Sequence, residues 1–159
     1  MVKISIDTRT QTLDLLDDTR LIKRYPVSTA KNGVGELTGS FCTPRGKHFI
    51  RAMIGAGEPE NTVFVRRRPS GELYSEEMGR QFPDRDWILA RILWLSGCEP
   101  GHNRLGEVDT MRRYIYIHGT PDVDAIGTPV SHGCVRMRPA DMVELFDQVQ
   151  AGIMVEILS

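Results

Sequence analysis

The chain has 159 residues, of which 40% are hydrophobic and 26% are charged, a balance that is typical of a folded globular protein. This length suits one domain, so we expect a single domain over residues 1–159. The formal net charge of −1 gives no general attraction to nucleic acid or to an anionic membrane. No apolar run is long enough to span a bilayer, so we predict neither nucleic-acid binding nor membrane insertion.

Three cysteines, Cys42, Cys98 and Cys134, form an odd set without a Cys-x-x-Cys pair. This argues against a disulfide framework and against a zinc ribbon, and it suits a reducing compartment. Residues 2–7 alternate between apolar and polar types and do not form the apolar run of a secretion signal. We expect a cytoplasmic protein if Met1 is the native start, and a periplasmic one if a leader has been removed.

The first third of the chain predicts antiparallel strands. Apolar and polar residues alternate over 2–7 and 12–15, and a third apolar segment covers 21–27, with turn-forming residues between them. Residues 28–46 are rich in glycine and contain proline, so they predict mostly loop. A three-stranded antiparallel meander is the simplest arrangement.

The middle of the chain is interrupted repeatedly by glycine and proline. We predict short strands over 48–50 and 62–65, and loops over 68–83 and 97–109. Residues 86–94 fit a strand and a short helix equally well.

The last third predicts a strand, a helix and a final strand. The strand at 114–117 alternates tyrosine and isoleucine and ends at His118-Gly119. Proline at the first helical position and an apolar stripe predict a helix over about 139–150, and 153–158 closes the chain as a strand. The fold class is therefore mainly β with one main helix near the C-terminus.

Two basic clusters stand out, Arg66-Arg67-Arg68 and Arg112-Arg113. Such runs are usually solvated faces, and we expect that here. Steering of an anionic substrate is the alternative.

One pair of residues suggests covalent catalysis. Cys134 is predicted to lie at the end of a loop, just before a helix. Its thiol needs a base because an unperturbed pKa of about 8.5 leaves little thiolate at neutral pH. His118, at a strand end, is a candidate base. Gly133 precedes the cysteine and permits backbone angles that could direct successive N–H groups at a substrate oxygen.

The segments Tyr-Ile-Tyr-Ile-His-Gly-Thr at 114–120 and Ser-His-Gly-Cys-Val-Arg-Met at 131–137 resemble the signature of the L,D-transpeptidase (YkuD-type) catalytic domain. The similarity extends over nearly the whole chain. It implies a β-sandwich or barrel-like fold and acyl transfer on peptidoglycan stem peptides or muropeptides, with no cofactor and no metal. The bond cleaved would join an L-configured centre, typically of diaminopimelate, to D-Ala.

The resemblance also implies roles for individual residues. Cys134 would be the nucleophile, His118 its general base, and the carbonyl of Gly119 would orient the imidazole. The oxyanion region and its loop would consist of Ser131, His132 and Gly133. Arg136 would bind a substrate carboxylate. Residues 66–110 lack a family-wide pattern, and we expect them to set substrate choice.

Several functions remain open at this point. With a cytoplasmic location, water is the expected acceptor, which makes the chain an L,D-carboxypeptidase that trims tetrapeptides during murein turnover or recycling. The alternative is an L,D-transpeptidase that forms 3-3 cross-links in the cell wall. Two further classes are a zinc hydrolase that uses His118, His132 and Cys134, and a non-catalytic peptidoglycan-binding module.

Overall fold

The computed structural model describes residues 1–159, which form ten β-strands, two α-helices and two short 3₁₀ turns. In chain order the strands and α-helices are β1 (Val2–Asp7), β2 (Thr12–Asp17), β3 (Arg20–Pro26), β4 (Gly46–Ile54), β5 (Thr62–Val65), β6 (Arg68–Leu73), α1 (Glu76–Gln81), β7 (Ile88–Gly97), β8 (Tyr116–Gly119), β9 (Val135–Met137), α2 (Pro139–Phe146) and β10 (Met154–Leu158). The mainly-β fold class with one main helix is confirmed.

All ten strands belong to one open sheet, whose main path runs β3-β2-β1-β10-β4-β7-β5-β6. The first three strands form the predicted antiparallel meander. The last strand, β10, lies between β1, to which it is parallel, and β4, to which it is antiparallel. The end of the chain therefore joins the N-terminal meander to the rest of the sheet.

Strand β7 is the centre of the sheet, because it pairs with three other strands. Along one edge it pairs with β4 and β5, and along the other it pairs with β8. Its register against β8 shifts between Leu89 and Ile92, and Ala90 has a φ of 74° within this bulge. The bulge brings the carbonyl of Leu89 close to Gly119, where a Cβ atom would lie 2.6 Å from that oxygen. Only glycine fits there, directly after His118.

Helix α2 packs against β7 and β8 and supports the strand that carries His118. Its buried side chains, Met142, Leu145 and Phe146, join a core cluster of 23 residues. The helix ends at Phe146, earlier than the predicted boundary near residue 150. It is also the longest helix in the structure, and neither helix is long and apolar enough to cross a membrane.

Three local predictions were wrong. The segment 68–83, predicted as loop, contains β6 and α1, where Ser75 caps the helix by accepting a hydrogen bond from the N–H of Met78. Strand β8 begins at Tyr116 rather than at Tyr114, which has a φ of 56° and lies in a turn. Cys134 precedes the short strand β9, not a helix, because parallel pairing with β8 extends the chain there.

A buried histidine in β4 makes stability depend on pH. The Nδ1 atom of His48 lies 3.0 Å from the carbonyl of Gly46, and its Nε2 atom lies 3.0 Å from the hydroxyl of Thr110. A carbonyl can only accept, so Nδ1 carries the one hydrogen of the neutral ring. Nε2 then accepts a hydrogen bond from the hydroxyl of Thr110. Burial lowers the pKa of His48 from 6.5 to about 4.

The unfolded chain therefore binds a proton at this histidine between pH 6.5 and 4 that the folded chain does not bind. The contribution of His48 to the free energy of unfolding is fully present above pH 6.5, and it is lost as the pH is lowered through this range. We expect the wild type to lose about 2 kcal/mol more than His48→Gln between pH 6.5 and pH 5. Urea unfolding at both values measures this, with His102→Gln as a control, and equal losses in wild type and His48→Gln would contradict it.

Candidate active site

His118 lies on β8 with its imidazole almost fully buried. Its Nδ1 atom lies 2.7 Å from the carbonyl oxygen of Gly119, and a carbonyl can only accept, so Nδ1 carries the hydrogen. In the neutral ring Nε2 is then the atom with a free lone pair. Burial lowers the pKa of His118, while the hydrogen bond to Gly119 opposes this shift. The resting imidazole is thus a neutral base with a fixed tautomer.

Cys134 lies directly before β9, and its side chain is partly exposed. The N–H of Tyr116 donates to Sγ at 3.3 Å, and Sγ lies 3.4 Å from the carbonyl of Tyr114, to which the thiol can donate. Burial raises the pKa of the Cys134 thiol to about 12. The resting sulfur is therefore a protonated thiol, and a base is needed to make it nucleophilic.

The pairing of β8 with β9 brings the two groups together. His118 is opposite Arg136 in this parallel pair, which places Cys134 beside Tyr116, two residues before His118. Side chains alternate along a strand, so Cys134 and His118 lie on the same face. Both line one cavity of about 170 Å³. No hydrogen bond joins Sγ to the imidazole in this resting arrangement, as is common before substrate binds.

The residues before Cys134 form a tightly bonded loop. The hydroxyl of Ser131 donates to the carbonyl of Cys134 at 2.6 Å and accepts from the N–H of Gly133 at 3.2 Å. The hydroxyl of Thr43 donates to the carbonyl of Gly133 at 3.0 Å and accepts from the N–H of Ala30. Ser131 and Thr43 are buried, so these bonds fix the backbone that positions the thiol.

Glycine is required at position 133 for two reasons. Its φ is 131°, and an added Cβ would lie 3.2 Å from both the carbonyl oxygen of Cys42 and the Cδ1 atom of Ile115. His132, between Ser131 and Gly133, is exposed and contacts the ring of Phe41 edge-on, with 6.3 Å between centroids.

A larger groove of about 620 Å³ adjoins the cavity that Cys134 and His118 line. The two share three lining residues, Asp86, His132 and Arg136. The guanidinium of Arg136 donates to the Asp86 carboxylate at 3.1 Å, and its side chain is only 13% exposed. A substrate in the groove would thus contact this ion pair on its way to the thiol.

The arginine clusters are less solvated than predicted. Arg67 lies over the rings of Trp94 and Tyr114, at 5.1 and 4.8 Å, and donates to the hydroxyl of Tyr116. Arg113 is half-buried and lines the cavity that contains Cys134 and His118. For these two residues the expectation of a solvated face was wrong, because each stacks or hydrogen-bonds within the fold.

The profile of the L,D-transpeptidase catalytic domain family (YkuD) matches residues 2–157. The chain belongs to this family. The YkuD protein of Bacillus licheniformis is 28% identical over 155 residues, which cover 98% of this chain and 64% of that relative.

Solved structures support the same fold. An L,D-transpeptidase from Mycobacterium smegmatis superposes with a TM-score of 0.59 at 20% identity, covering 99% of this chain and 58% of that one. L,D-transpeptidase 3 from Mycobacterium tuberculosis, solved with a faropenem-derived adduct, gives 0.58 at 16% identity, covering 99% and 60%. This L,D-transpeptidase domain therefore spans less than two thirds of each of these proteins.

Most sequence-predicted site residues of this L,D-transpeptidase domain surround one cavity. Cys134, His118, His132 and Arg136 line it. Gly119 accepts from the imidazole, and Ser131 and Gly133 lie in the loop that holds the thiol. The alternative zinc site has no support from the geometry, because no three His, Cys, Asp or Glu side chains lie where they could hold a metal ion.

Sequence reasoning missed two residues of the site. Thr43 fixes the loop before Cys134 from 90 residues away, and Asp86 pairs with Arg136 across 50 residues. Neither had a sequence signal, since both act through contacts between distant segments. Arg113 was singled out only as part of a basic cluster with substrate steering as the alternative role, and the structure places it in the cavity beside Cys134.

Proposed function

We propose that this L,D-transpeptidase domain cleaves peptidoglycan stem peptides at the bond between the L-configured centre of diaminopimelate and D-Ala, through a thioester on Cys134. One observation carries the proposal: the protonated thiol of Cys134 and the neutral imidazole of His118 share one accessible cavity. An exposed thiol without a base nearby would not be suited to acyl transfer.

In the first half-reaction the sulfur of Cys134 attacks the peptide carbonyl carbon while its proton passes to Nε2 of His118. The hydrogen bond from Nδ1 to the carbonyl of Gly119 disperses the positive charge that develops on the ring. The C–N bond then breaks, the proton moves from Nε2 to the leaving nitrogen, and D-Ala departs with a free amine. The thioester remains on Cys134.

The oxygen of the attacked carbonyl becomes negatively charged in this step and needs hydrogen-bond donors. We assign this role to the backbone N–H groups of the loop formed by His132, Gly133 and Cys134, which the Ser131 and Thr43 hydroxyls hold in place. Losing one such donor costs about 2.7–4 kcal/mol of transition-state stabilisation in well-studied enzymes.

In the second half-reaction we propose water as the acceptor, which makes the chain an L,D-carboxypeptidase. Cys134 is partly exposed, so water reaches the thioester, and Nε2 of His118 can take the proton of the attacking molecule. The C–S bond then breaks, the tripeptide leaves with a free carboxyl group, and the proton returns from Nε2 to the sulfur of Cys134. The adjoining groove favours a second candidate, 3-3 transpeptidation, because its volume of about 620 Å³ is large enough for an acceptor peptide.

Product analysis on a defined muropeptide tetrapeptide tests the proposal and separates the candidates. We expect free D-Ala and tripeptide in equal amounts, with tripeptide still dominant when an acceptor stem peptide is added in excess. A mass spectrum during turnover should show the acyl-enzyme on Cys134. Cross-linked dimers dominating over tripeptide would exclude the carboxypeptidase, and no release of D-Ala under either condition would exclude both.

A further inference from the structure

The half-buried guanidinium of Arg113 has no anionic partner. It donates to three backbone carbonyls and one hydroxyl of the preceding loop: Gly35 (3.3 Å), Glu36 (3.2 Å), Cys42 (2.6 Å) and Ser40 Oγ (3.4 Å). All four acceptors are neutral. A partly desolvated charge that is hydrogen-bonded but not neutralised is costly to keep unless it has a use.

The nearby carboxylate of Glu36 does not neutralise Arg113, because it pairs with another arginine. Both oxygens of Glu36 accept from Arg45, at 3.0 Å each, and one lies 3.8 Å from the ring of His102. Burial lowers the pKa of Arg113, as expected for a cation without a close counter-ion. Arg112, the adjacent residue, is exposed, so position 113 differs from its neighbour in environment and not in residue type.

Arg113 also faces the cavity of the proposed nucleophile. It lines the space of about 170 Å³ that contains Cys134 and His118, and it does not line the larger groove. Its Nε–H makes no hydrogen bond within the protein and is not fully buried, so it is free to donate to a ligand. Arg136, the other arginine of this cavity, is neutralised by Asp86. Arg113 is thus the cation with unused charge beside the thiol.

We propose that Arg113 binds the α-carboxylate of the terminal D-residue that leaves during acylation; this rests on the proposed function. The cavity is below the roughly 300–1,000 Å³ that hold drug-sized ligands, and it suits one small residue beyond the cleaved bond. In a tetrapeptide, this one residue carries the C-terminal carboxylate.

The test compares a muropeptide tetrapeptide with its C-terminal amide. We expect wild type to cleave the free acid with a kcat/KM about 10- to 100-fold above that of the amide, which matches one charge-assisted hydrogen bond. Arg113→Gln should lose this preference by falling on the acid, while its rate on the amide stays near that of wild type. Arg113→Lys should keep part of the preference, and Arg112→Gln should behave as wild type.

Other outcomes overturn the inference in distinguishable ways. Equal loss on both substrates in Arg113→Gln would show that Arg113 only supports the loop at 35–42. A preference lost in Arg136→Gln and kept in Arg113→Gln would assign the carboxylate to Arg136. Wild-type cleavage of both substrates at equal rates would overturn this inference alone, whereas cleavage of neither would overturn the proposed function with it. If Arg113→Gln does not fold, a reduced preference in Arg113→Lys with the amide rate intact supports the proposal, and full preference contradicts it.

Discussion

We expect Cys134→Ala to abolish D-Ala release and to leave a folded protein. The thiol is the only group in the cavity that can form the proposed acyl-enzyme, and removing the nucleophile of comparable enzymes lowers kcat by about 10⁶-fold. We expect activity below detection, a fall of at least about 10⁴-fold. The sulfur makes two weak hydrogen bonds, so the free energy of unfolding should change by about 1 kcal/mol.

The same variant should lose covalent labelling by β-lactams. Wild type incubated with a carbapenem should gain the mass of one adduct, and Cys134→Ala should gain none. Cys98→Ala is the matched control, because Cys98 is exposed and lies outside the cavity; it should retain both the adduct and the activity. Adduct formation that persists in Cys134→Ala, or that disappears in Cys98→Ala, would refute the assignment of the nucleophile.

The sequence predicted the strands whose side chains alternate between core and solvent. In β1, Ile4 and Ile6 are fully buried and their neighbours are not, so the period of two was visible. Strand β7 was ambiguous between strand and helix because it is buried on both faces, and continuous apolar runs carry no period. Its bulge at Ala90 left no signal at all.

The proximity of Cys134 and His118 could be predicted because both residues of this pair lie in short motifs. The charged side chains around this pair could not be predicted, because the sheet brings them together from distant parts of the chain. Asp86 reaches Arg136 only because the chain after α1 returns along β7, which pairs with β8. Arg112 and Arg113 are identical in sequence terms, yet the turn at Tyr114 leaves one exposed and the other lining the cavity. The prediction that residues 66–110 set substrate choice stays a prediction.

His118→Gln should lower acylation by about 10²- to 10⁴-fold, the usual contribution of a general base. Burial lowers the pKa of His118, so the wild-type base loses its proton below the ordinary value of 6.5. Wild-type kcat/KM should therefore rise with pH to a plateau reached by neutral pH. The thiol stays protonated until a pKa of about 12, so the plateau should extend well into the alkaline range.

The variant should have a different pH profile, which a merely structural role for His118 would not produce. Without a base, attack depends on the small fraction of thiolate, which increases about tenfold per pH unit below a pKa of about 12. The residual rate of His118→Gln should thus climb steadily with pH and approach the wild-type rate under alkaline conditions, while His102→Gln keeps the wild-type profile. Ultraviolet thiolate absorbance in wild type at pH 7 would contradict this account, because it would mean that Cys134 and His118 rest as an ion pair and that the proton moves before substrate binds.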